Sequence, residues 1–78
     1  MPISNEEREG LKRLGEKVKL IRKEKGLTLK ELAHSIDKDP QSIHRLEMGA
    51  INPSYLYLQQ LCKGLDVKII ELLEGLSD

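Results

Sequence analysis

Two helix-start signals close together in the middle of the chain leave room for only a short helix between them. The first is T-L-K-E, Thr28 to Glu31, which has the form of a capping box. In such a box the threonine hydroxyl accepts from the third helical N–H, and the glutamate reaches back to the cap's own N–H. Leu27 and Leu32 stand at the staple positions around it. The second signal is Asp39-Pro40. Asp39 is a cap, and Pro40 falls at the first helical position, where a missing N–H does no harm. The helix after Thr28 therefore buries Leu32, Ala33 and Ile36 and stops at a tight turn, Asp37-Lys38-Asp39. The helix after Asp39 is closed by Gly49. Ile43 and Leu46 are the only strongly apolar residues between Pro40 and Glu47, which leaves a wide polar face of Gln41, Ser42, His44 and Arg45.

The flanking segments read as helices too. Leu11, Leu14, Val18 and Ile21 recur at three- and four-residue steps, which predicts a first helix from about Gly10 to Lys25, ended by Gly26 in the left-handed conformation. Asn52-Pro53 is expected to open a fourth helix, with Tyr55, Leu58, Leu61, Cys62 and Leu65 as its inner stripe. Asp66 is expected to cap a fifth, carrying Val67, Ile69, Ile70, Leu72 and Leu73. No window alternates with the period of a strand. The fold class is all-α, a compact five-helix bundle. A chain of 78 residues makes one domain with one modest core. The expected division is an N-terminal extension over 1–10, frayed, then the folded domain over 11–74 and a C-terminal tail over 75–78.

Composition excludes several function classes. Phe and Trp are absent and Tyr55 and Tyr57 are the only aromatics, too few for a reader that stacks single-stranded bases. The single Cys62 cannot form an internal disulfide, which fits a reducing cytosol. No apolar run approaches the ~20 residues of a membrane span, and the acidic start differs from a basic, greasy secretory signal. The expectation is a cytoplasmic protein with no membrane contact. The two histidines lack carboxylate or thiol partners at ligand spacing, so no metal is expected. There is also no phosphate loop and no Ser/His/Asp or Cys/His arrangement. No cofactor, catalytic residue or enzymatic activity is therefore expected. The 13 basic and 13 acidic side chains cancel overall but not locally. Residues 11–25 carry +5, against −2 over residues 1–10 and −3 over the remainder. A patch acts over roughly 8–10 Å, so the local excess outweighs the neutral sum.

Two short helices joined by a three-residue turn, the second unusually polar, form the pattern of a helix-turn-helix. From Gly15 to Leu73 the sequence resembles the phage-repressor and Cro-like (XRE-type) helix-turn-helix family, whose fold is lambda-repressor-like. The match is carried by G-x-x-V-x-x-I-R-x-x-K-G-L-T (Gly15–Thr28), E-L-A (Glu31–Ala33), Q-S-I-x-R-L-E-x-G (Gln41–Gly49) and N-P-S (Asn52–Ser54). The resemblance implies sequence-specific binding of double-stranded DNA by a small transcriptional regulator, with residues 40–48 as the recognition helix in the major groove. Gln41 and Arg45 share one helical face, and the resemblance places both at base-reading positions. Gln suits adenine and Arg suits guanine. It makes Ser42, His44, Lys38, Lys30, Asn52 and the Leu29 backbone N–H candidates for phosphate or base-edge contacts. Lys17 and Lys19 are further non-specific candidates. It also implies a structural ion pair between Arg22 and Glu47.

The sequence departs from the family pattern at four places. Leu29 stands where Gln is usual, Asp37 where Gly is usual, Lys38 where an apolar residue is usual, and Pro40 at the first recognition position. The family further implies a homodimer on palindromic DNA. Leu20, Leu56, Tyr57, Ile70, Leu73 and Leu76 fall off the core stripes, and Ile70, Leu73 and Leu76 make the better dimer surface. The alternative function is a protein-interaction module of the same fold, an antitoxin or co-activator bridge, whose partner would come from its own operon.

Overall fold

Helix starts set the architecture, and the first lies earlier than apolar periodicity suggests. The computed structural model describes residues 2–76; Met1 of the expected extension and Ser77 and Asp78 of the expected tail lie outside the described residues. Helix α1 spans Asn5–Glu24, not Gly10 onward, so residues 5–10 of the expected N-terminal extension are helical. Ser4 and Glu7 form a reciprocal cap: the Ser4 N–H donates to Glu7 Oε1 at 2.7 Å, and the Glu7 N–H donates to Ser4 Oγ at 3.1 Å. Glu6 and Glu7 also suit the positive end of the helix dipole. Those residues carry no inward apolar stripe, so their helicity rests on the cap.

Helix α2 spans Leu29–Ser35 and α3 Pro40–Glu47, separated by the short turn. The Thr28 box is made as its sequence suggests, with the Glu31 N–H on Thr28 Oγ1 at 3.0 Å. Asp37 adopts φ 56°, a left-handed conformation that costs a non-glycine residue strain but is least unfavourable for Asn and Asp. The Lys38 N–H then closes back on the Ala33 carbonyl at 2.8 Å, which ends α2 and turns the chain into α3.

Helix α4 spans Tyr55–Leu65 and α5 Ile69–Leu73. Two expectations shift here. Ser54, and not Asn52-Pro53, begins α4, its hydroxyl accepting from the Tyr57 N–H at 3.1 Å. Asp66 caps no fifth helix; it ends α4 at φ 57°, and α5 starts at Ile69, with the Lys68 N–H donating to Glu71 Oε1 at 3.2 Å. The inner stripe of α4 also changes. Tyr55 is 61% exposed, while Tyr57 is half-buried and packs against the core. Tyr55 has the register of Leu58 and Cys62, but periodicity assigns a face without saying whether anything lies opposite its first turn.

Among the described residues all regular structure is helical. Helix α3 packs on α1 and α2, α4 on α2 and α5, and α5 returns to α1. Val18, Ile21, Leu32, Ala33, Ile43, Leu46, Leu61, Cys62, Leu65 and Leu72 form the core at their centre. The approach of α1 to α3 depends on Gly15, where a Cβ would collide with the Leu46 and Glu47 carbonyl oxygens. Thus α3 is held at its C-terminal end by α1 and along its length by two core residues.

Candidate nucleic-acid interface

Helix α3 is arranged to leave most of its surface outside. Its N-terminus is set by Asp39, whose Oδ1 accepts from the Gln41 N–H at 3.0 Å, with Pro40 in the first position. Ile43 and Leu46 are fully buried and fix its depth. Gln41, His44 and Arg45 are exposed, with Gln41 and Arg45 four residues apart on one face. Such a face can reach the major groove, where each base pair shows a distinct donor and acceptor pattern.

Glu47 faces inward instead and meets Arg22 of α1. The contact is bidentate: Arg22 Nε donates to Glu47 Oε2 at 2.7 Å and Nη2 donates to Oε1 at 3.0 Å. Nη1 also donates to the Leu27 carbonyl at 2.9 Å, so one guanidinium ties α3 to α1 and to the entry of α2. The side chains are only 8% and 2% exposed. Hydrogen bonding to Glu47 raises the Arg22 pKa above its ordinary value, against the opposing effect of burial. This pair orients α3 and takes no part in its outer face.

The remaining expected contact residues come from the turn, the first turns of α2 and α3, and the loop before α4. Lys38, in the turn, is half-buried with its ammonium 5.1 Å from the centre of the Tyr57 ring. Ser42, in the first turn of α3, shares a 2.7 Å hydrogen bond with the Tyr57 hydroxyl. Tyr57 thus brings Lys38 and Ser42 together. By periodicity Tyr57 falls off the inner stripe of α4, and no spacing rule links positions 38, 42 and 57. Lys30 and Asn52 are exposed, and the Leu29 side chain packs on the core, leaving its backbone N–H in the open first turn of α2. Lys17 is engaged elsewhere: its ammonium donates to the Glu74 carbonyl at 3.3 Å, at the end of α5. Lys25 reaches the Asp66 carbonyl at 3.5 Å. Part of the basic excess of α1 therefore serves helix C-termini, where positive charge is favourable.

On the α1–α5 side, Ile70 is 68% and Leu73 44% exposed. Leu76 is half-buried, and with Leu20 it lines a shallow depression floored by Arg13, Glu16, Lys17 and Gly75. Burial raises the pKa of the Cys62 thiol, with Glu71 adding to the shift, so the thiol is protonated at neutral pH. No described helix is long and apolar enough to cross a membrane.

Comparison with known proteins gives a consistent set. Residues 18–72 match the model of a family described as helix-turn-helix. The HTH-type transcriptional regulator DdrOP3 of Deinococcus deserti is 34% identical over 65 residues, 83% of this chain and 50% of that protein. The chain thus spans about half the length of that curated relative. Two solved structures are similar with a TM-score of 0.77 each. The restriction-modification controller protein C.AhdI from Aeromonas hydrophila is 29% identical, over 80% of this chain and 94% of that one. The clp gene regulator ClgR from C. glutamicum is 30% identical, over 94% of this chain and 87% of that one.

Proposed function

We propose that this chain, which belongs to the helix-turn-helix family, binds double-stranded DNA sequence-specifically as a transcriptional regulator, with α3 in the major groove. The observation that carries this reading is the division of α3 between an outer and an inner face. Gln41, His44 and Arg45 stand exposed, while Ile43, Leu46 and the Arg22–Glu47 pair fix the helix from behind. Gln41 and Arg45 read bases. Ser42, Lys38, Lys30, Asn52 and the Leu29 N–H meet phosphates on either side, and His44 takes a base-edge or phosphate contact. The regulator relatives support the reading, as does the structural likeness to a restriction-modification controller. No observation favours the interaction-module alternative.

The same reading gives a homodimer joined through Ile70, Leu73 and Leu76, acting in the cytoplasm on a palindromic site. Its half-sites would be centred about one helical turn, roughly 34 Å, apart. The test is binding of the wild-type chain, Gln41→Ala and Arg45→Ala to candidate promoter DNA. Each substitution is expected to cost about 1–3 kcal/mol at the cognate site and little on random DNA. Complete absence of salt-dependent DNA affinity in the wild type would contradict the reading.

A further inference from the structure

We propose that Tyr57 is a positioning residue for the DNA backbone, holding the Lys38 ammonium and the Ser42 hydroxyl toward a single phosphate beside the first turn of α3. The proposal rests on the DNA-binding reading above and assigns a role within it to a residue of α4.

Three elements converge at this point: Lys38 from the turn, Ser42 from the start of α3 and Tyr57 from the start of α4. Between two hydroxyls 2.7 Å apart, one hydrogen bridges the oxygens and the other is left to donate outward. Whichever oxygen donates within the pair, the couple presents one free O–H, and the bridging bond polarises it. The ring face of the same tyrosine attracts the Lys38 ammonium. The phenol therefore gathers one cation and one neutral donor at a single point, a combination suited to an anion. Lys38 lies between two aspartates, Asp37 and Asp39; the Asp39 carboxylate is engaged by the Gln41 N–H.

The energetic reason lies in the lysine. A free lysine loses rotamer freedom when it is immobilised on a phosphate. Held over Tyr57 and half-buried, Lys38 has given up part of that freedom before DNA arrives, which lowers the cost of contact. A leucine at position 57 could fill a half-buried site in α4, but it offers neither a ring face nor a hydroxyl.

The experiment measures binding to a duplex selected by the wild type, across salt from about 50 to 200 mM. It compares Lys38→Ala, Ser42→Ala, Tyr57→Phe, Tyr57→Leu and the doubles of each Tyr57 variant, with thermal unfolding as a check on folding. Lys38→Ala should reduce the slope of log affinity against log salt by about one. Tyr57→Leu should reduce it by most of that amount, with little further change when Lys38→Ala is added. Tyr57→Phe keeps the ring, so the slope should hold while affinity falls about threefold to tenfold, and adding Ser42→Ala should then cost little.

If Tyr57 is merely structural, its variants lower the melting temperature, leave the slope unchanged and add independently to Lys38→Ala; that result overturns the proposal. So does a Tyr57→Phe protein that binds as the wild type does. A wild type without salt-dependent affinity removes the DNA-binding reading itself, whereas a wild type that binds beside unaffected variants removes only the role of Tyr57.

Discussion

The orientation of α3 depends most on the Arg22–Glu47 pair, because the two buried charges are each other's partner in a bidentate contact. Truncating Arg22 leaves the Glu47 carboxylate, 2% exposed, without its guanidinium and frees the Leu27 carbonyl. Removing one partner of a buried pair typically costs about 3–5 kcal/mol. In a domain this small that corresponds to a fall in melting temperature of about 10 °C or more. We therefore expect Arg22→Ala to unfold well below the wild type in thermal denaturation. The paired replacement Arg22→Met with Glu47→Leu should recover most of the loss, since an apolar couple leaves no charge stranded. If both proteins melt alike, the pair is not what holds α3. At this scale the sequence was partly legible. Arg22 and Glu47 stood out through the family pattern, but the third hydrogen bond, to Leu27, depends on where the loop after α1 runs. Tyr57 was illegible because its partners lie in elements whose crossing only the fold determines.

Among the elements, the short helices are held by their caps, and these respond to pH. The Thr28 backbone N–H, and then its hydroxyl, hold the Glu31 carboxyl below its ordinary pKa. A carboxylate lowered in the folded state contributes stability that is complete above its unfolded value and is lost as pH falls through the folded value. Stability measured between pH 7 and pH 3 should therefore fall less steeply in Glu31→Gln than in the wild type. Equal slopes would remove the box from the acid response.

Packing between elements has its own test. Gly15→Ala places a methyl against the Leu46 and Glu47 carbonyls, which belong to backbone and cannot rotate away. Overpacking of this kind costs about 1–3 kcal/mol, and urea denaturation should show it. Caps next to an apolar stripe could be read directly: Thr28, Asp39 and the closing Gly26 and Gly49. The Ser4 cap could not, because no inward residue marks the turn that follows. Asp66 is ambiguous in the sequence for a related reason. An aspartate between two apolar stretches suits the end of one helix as well as the start of the next, and only its φ of 57° decides.

For the whole molecule, neutrality of net charge coexists with a basic first helix, part of whose charge is engaged at helix C-termini through Lys17 and Lys25. We accordingly expect weak non-specific DNA affinity and a modest salt slope, with discrimination resting on a few polar residues. Assembly is the second property at this scale. Replacing Ile70 and Leu73 together by glutamate should convert a dimer to a monomer in sedimentation while leaving helical content unchanged, because both side chains are exposed in the single chain. A dimer that persists would place the contact elsewhere.

If α3 reads bases in duplex DNA, an unbiased selection of bound sequences will show it. The wild type should enrich a two-fold symmetric site with half-sites about one helical turn apart, and Arg45→Ala should lose preference at one symmetric pair of positions while keeping the rest. A wild-type pool no different from the starting library, or an Arg45→Ala pool identical to that of the wild type, would contradict it.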